Sequence, residues 1–212
     1  MNKLTALVDK PLHYYSQWDF LVFILLTALS IWSGQTTVFY ILYFFWWNEL
    51  IRIVVDRICF KRNNNAVLAG RTTPILGSFI QMGVYFIFLV VFFAFMANWN
   101  NEVLLMTNMK ILFFQNWFFN INLLFIVFER IVLHSTQQPL RVSFGNFTPN
   151  MLVLHVSIIL GVVLMFFVVR NFPDTFTPTN LWGSVLIILP FLLIKAGMQY
   201  FTGNTLKSRS AY

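Results

Sequence analysis

Trp46-Trp47-Asn48-Glu49-Leu50-Ile51-Arg52-Ile53-Val54-Val55-Asp56-Arg57 places four charged side chains at the end of a long aromatic and aliphatic run. A soluble helix would turn such charges to water. In a bilayer an ionisable group near the centre costs roughly 2.5–3.5 kcal/mol on insertion scales. Glu49 and Arg52 are three apart, and Arg52 and Asp56 four apart, so they share a helical face with Asn48. That face has to turn toward other helices.

Composition sets the surroundings of this stretch. The chain has 212 residues, of which 58% are hydrophobic and 10% charged. Soluble domains carry about 25% charged residues. The gap argues for an integral membrane protein, read as one all-α domain. A single cysteine, Cys59, excludes an internal disulfide. The net charge of +7 comes from residues that mostly flank apolar runs, so topology explains it better than nucleic acid does. No cleavable leader is expected, because the first apolar run follows a polar, interfacial lead.

The hydropathy pattern predicts six transmembrane helices, over about 18–33, 38–59, 74–96, 109–133, 150–169 and 181–201. Spans near 20 residues match a hydrocarbon core of roughly 30 Å. Residues 98–108 read as a polar loop. With both termini cytoplasmic, the inner segments hold Lys3, Lys10, Lys61, Arg62, Arg71, Arg141, Lys207 and Arg209. The outer segments hold Lys110 and Arg170. This bias predicts the orientation and a bacterial inner-membrane location. No internal repeat supports an inverted-repeat transporter.

Alternating spans place the second, fourth and sixth helices in the same direction. A buried polar network is then expected from Asn48, Glu49, Arg52, Asp56, Asn116, Asn120, Glu129, Arg130, His155, Lys195 and Gln199. Three acids (Glu49, Asp56, Glu129) could face three bases (Arg52, Arg130, Lys195), as burial demands. The competing reading lets Asp56, Arg57, Glu129 and Arg130 snorkel from helix ends. It makes His155 a packed, hydrogen-bonded histidine and the amides of the fourth span helix-to-helix glue. Glu49 lies too deep to snorkel. Pro190 is expected to kink the sixth span and aim Lys195 inward.

Catalytic signatures are absent from the sequence. It has no His-Glu-x-x-His run, no Gly-x-Ser-x-Gly elbow and no phosphate-binding glycine loop. No cofactor is expected, and haem or metal on His134 and His155 is not supported. The leading expectation is a non-enzymatic subunit or assembly partner of a larger membrane complex. It would meet the lipid bilayer and either a protein partner or further copies of itself. A small proton-coupled carrier using Glu49 and Lys195 is the alternative. An intramembrane enzyme on lipid or peptide, with His155 as acid or base, is the third.

Two segments also resemble a family of uncharacterised prokaryotic integral membrane proteins. One is Tyr43-Phe44-Phe45-Trp46-Trp47-Asn48-Glu49-Leu50-Ile51-Arg52. The other is Met151-Leu152-Val153-Leu154-His155-Val156-Ser157-Ile158-Ile159-Leu160-Gly161, followed by Leu193-Ile194-Lys195. The resemblance implies a membrane location and groups Glu49, His155, Gly161 and Lys195. It implies no activity. Some members carry His-Tyr-Gly in the middle helices. Here Gln115-Asn116-Trp117-Phe118-Phe119-Asn120 has no histidine, so the resemblance implies no metal or haem.

Overall fold

The structure, a computed structural model, describes residues 24–25, 27–32, 37–62, 75–133, 149–172, 174–176 and 180–209. At 56–62, 75–76, 129, 132–133, 149–150, 181 and 199–209 only the backbone is described. The described residues are mostly helical, with no strand among them. Four helical stretches are long and apolar enough to cross a membrane: Val38–Val55, Gly77–Asn98, Glu102–Phe128 and Met151–Val169. Trp182–Met198 is a shorter apolar helix. Half of the expected first span lies outside the described residues; 24–25 and 27–32 are helical.

The charged stretch sits on α1 (Val38–Arg62). Thr37 caps it, its Oγ1 accepting from the Tyr40 backbone N–H at 3.1 Å. From Val38 to Trp46 every residue is buried. A helix apolar on all sides has to be enclosed on all sides. Accordingly 61% of the Val38–Val55 window is buried, against 28–39% in the other three. Five helices pack against it.

Those five are α2 (Ile75–Phe88), α3 (Glu102–Leu112), α4 (Trp117–Leu133), α5 (Pro149–Leu164) and α6 (Leu181–Arg209). α2 continues into a π-helical turn, Leu89–Phe95, and a 3-10 turn, Met96–Asn98. α5 likewise ends in a π-helical turn, Met165–Val169. Pro190 lies inside α6, which continues past it.

Side-chain pairs give each helix a direction against α1. The Trp46 indole N–H donates to the Met82 carbonyl at 2.8 Å, and Phe93 reaches the Leu42 level, where both would meet a Cβ on Gly161. So α2 and α5 run antiparallel to α1. Ser184 shares a small cavity with Thr37, and Lys195 lies over Phe44 and Phe45, so α6 runs parallel. Gly161 is the tightest of these contacts. A Cβ there would sit 3.0 Å from Leu42 and Phe93 side-chain atoms.

The fourth expected span departs from the reading of the sequence in two ways. The expected 98–108 loop is mostly helix, because Asn101 caps α3 by accepting from the Leu104 N–H at 3.1 Å. The span is then broken. Gln115 N bonds Lys110 O at 2.7 Å and Phe114 N bonds Ile111 O at 3.1 Å, with Phe114 at φ 57°. This is a Schellman stop with a non-glycine left-handed residue. Asn116 Oδ1 then accepts from the Phe119 N–H at 2.9 Å and starts α4.

Beyond the break the chain reverses. Phe114 stands 5.6 Å from the Trp47 ring, Phe119 stacks on Tyr43 at 5.3 Å, and Asn122 bonds Tyr40. Rising numbers on α4 meet falling numbers on α1, so α4 is antiparallel to α1. An unbroken fourth span would have run parallel.

Candidate functional site

The deepest charge is the best enclosed. Glu49 is completely buried, while Arg52, one turn on, is 22% exposed. The Arg52 guanidinium holds both carboxylate oxygens: Nε donates to one Oε at 2.9 Å and Nη2 to the other at 2.5 Å. A two-pronged arginine–carboxylate bond fixes geometry as well as charge. Tyr43, Trp46, Trp47 and Phe86 pack on one another beside it, with Trp46 and Phe86 centroids 5.0 Å apart. Asn48 Oδ1 is buried nearby and accepts no hydrogen bond among the described residues.

Lys195 approaches the same helix from α6. It is buried, and its ammonium lies 5.6 Å from the Phe44 ring centroid and 5.8 Å from that of Phe45. Aromatic faces stabilise a desolvated cation. Phe45 precedes Glu49 by four residues, one helical turn along α1.

His155 belongs to another constellation. Its Nδ1 lies 2.9 Å from the Tyr85 hydroxyl, which also receives the Gln81 amide at 2.9 Å. The imidazole is on the exposed surface, so it is a hydrogen-bonded histidine between α2 and α5. The structure thus shows Glu49 bonded to Arg52 and His155 to Tyr85.

The reversal of α4 sets where positions 129 and 130 fall. Positions 129 and 130 lie toward the Thr37 end of α1, whereas Glu49 and Arg52 lie toward its Arg62 end. Arg130 is therefore displaced from the Glu49 pair by the length of the α1–α4 contact. Asn116 and Asn120 serve the break itself: Asn116 caps α4, and Asn120 Nδ2 donates to Phe114 O at 2.6 Å. The side chains of Asp56, Glu129 and Gln199, and all of His134, lie outside the described residues.

Four polar contacts escaped the sequence reading. Asn122 Nδ2 donates to the Tyr40 hydroxyl at 2.7 Å. Thr37 Oγ1 donates to Asn108 Oδ1 at 2.7 Å. Asn98 and Asn108 both donate to Phe93 O, at 2.7 and 3.2 Å. That carbonyl is available because it lies in the π turn, where regular i→i+4 pairing lapses. A threonine directly before an apolar run was the one legible signal among them. Among the described residues no three His, Cys, Asp or Glu side chains gather into a metal-binding group.

No family model matches the chain, and neither a curated protein nor a solved structure does. Function therefore has to be argued from the geometry.

Proposed function

We propose that this chain is a non-enzymatic subunit or assembly partner of a larger complex in the bacterial inner membrane. The observation that carries this reading is the break between α3 and α4. Phe114 contacts Trp47, which lies at the middle of the Val38–Val55 window. At that depth Phe113, Gln115 and Trp117 are exposed. Non-helical backbone and an amide side chain are poorly tolerated against lipid at mid-depth. They persist where protein or a water-filled cavity covers them. A second polypeptide packed on 113–117 meets that need.

The Glu49–Arg52 pair supports a structural role for the charges. A carrier that couples transport to Glu49 needs that carboxylate to exchange partners. Here a guanidinium one turn away holds both carboxylate oxygens in two-pronged contact. The break itself favours the carrier reading to one degree, since discontinuous helices line many transport sites. Both termini are assigned to the cytoplasm from the Lys and Arg bias. The parallel course of α6 and α1 supports only the placing of the end of α6 on the side where α1 ends.

Purification from native membranes in mild detergent tests the proposal. A stoichiometric second polypeptide, or a defined homo-oligomer, is the expected result. A monomer that transports or turns over a substrate on its own would contradict it.

A further inference from the structure

The two π-helical turns lie side by side. Phe92, in Leu89–Phe95, stands 5.7 Å from Phe166, in Met165–Val169. Inserted π turns rotate the side chains that follow them and often mark functional positions. Both turns pack toward the Thr37 end of α1. Between them a groove of about 490 Å³ opens at the Thr37 end of the bundle. Sites for small molecules commonly measure roughly 300–1,000 Å³.

The groove is amphipathic along its length. Phe92, Met96, Met165 and Phe166 form an apolar wall. Trp99, Asn100, Asn101 and Arg170 form the rim. Arg170 is the only charged residue among the described residues that line it; Asp174 is exposed four residues further on. Trp99 and Trp182 are each 75% exposed at this end, as side chains at the headgroup level are. The rim therefore sits where phosphates lie, and the wall where acyl chains lie.

We infer that this groove is a specific site for an anionic glycerophospholipid. The phosphate pairs with Arg170 and the side-chain amides of the rim. One acyl chain lies between Phe92 and Phe166. An arginine favours phosphate through its planar fork of donors, and basic pockets between membrane helices are recognised headgroup sites. A protein helix would be a poor occupant, because its apolar side chains would leave Arg170 without an anion.

The test uses the full chain, purified and delipidated, with phosphatidylglycerol and phosphatidylcholine added separately under native mass spectrometry. Retention of one phosphatidylglycerol, in preference to phosphatidylcholine, is expected. Arg170→Gln should weaken it about tenfold, as loss of one charge-assisted contact does. Met96→Trp, which fills the groove, should weaken it too. Lys110→Gln, a change at an exposed lysine outside the groove, should leave it unchanged. A photoactivatable phosphatidylglycerol on the wild-type chain gives a readout independent of any variant. Its adducts should concentrate in 92–101 and 165–170. Equal retention by wild type, Arg170→Gln and Met96→Trp, or adducts spread evenly over the bundle, would overturn the site.

Discussion

The side-chain amide of Asn122 donates to the hydroxyl of Tyr40 at 2.7 Å, across 82 residues of chain. About two turns along α1, Phe114 meets Trp47. Together the two contacts fix α4 antiparallel to α1 and place the end of α4 beyond Thr37. Simple alternation of spans puts that end on the opposite side.

Sidedness of labelling separates the two arrangements. In a Cys59→Ser background, Ile131→Cys and Asn100→Cys should react with an impermeant thiol reagent from the same side of the membrane. Alternating spans predict opposite sides, and that result would return α4 to a parallel course.

Gly161 is where α1, α2 and α5 approach most closely. Gly161→Ala forces Leu42 or the Phe93 ring to move, since its Cβ meets them at 3.0 Å. Overpacking of this kind costs about 1–3 kcal/mol. Gly83 has nothing within 4 Å of an added Cβ, so Gly83→Ala should be neutral or stabilising by about 0.5–1 kcal/mol. Thermal unfolding in detergent checks the pair. Equal midpoints for the two variants would contradict the packing described.

The turn at 113–116 depends on Asn116. Asn116→Ala removes the acceptor for the Phe119 N–H and should cost about 0.5–2 kcal/mol, whereas Asn116→Asp keeps an acceptor and should cost less. Hydrogen exchange of the first turn of α4 reads this directly. Unchanged protection in Asn116→Ala would show that the cap is dispensable.

The central helix was legible in the sequence because two facts collide in it. Its apolar run is long enough to span, yet Glu49 lies too deep to reach water. The only arrangement that satisfies both is enclosure, and Val38–Trp46 is enclosed. The break in the fourth span was not legible. Its stop uses Phe114 in a left-handed conformation, and the usual signal for such a stop is glycine. Asn116 is a cap in the fold but reads as one more amide in an apolar run. The backbone at 129 and 130 consequently falls toward the Thr37 end of α1, which simple alternation of spans does not anticipate. The π turns carry no sequence signal either, because Val90-Val91-Phe92-Phe93 suits an α-helix equally well.

Glu49 and Arg52 form a unit if the pair anchors the bundle. Glu49→Gln and Arg52→Gln should each lose stability, up to about 3–5 kcal/mol for a buried charge left without its partner. Arg52 is partly exposed and can recover some hydration, so Glu49→Gln alone, which strands the guanidinium, should cost less than Arg52→Gln. The double variant should lose clearly less than the sum. Additive losses would show that the two residues act independently.

The claim that a second polypeptide covers the break is tested most directly by a photocrosslinking amino acid placed at Gln115 and, separately, at Trp117. Irradiation of native membranes should yield a discrete higher-mass adduct containing another protein or a second copy of this chain. The same probe at Phe128, exposed further along α4, should give far less of it. Adducts with lipid alone at Gln115 and Trp117 would contradict the account.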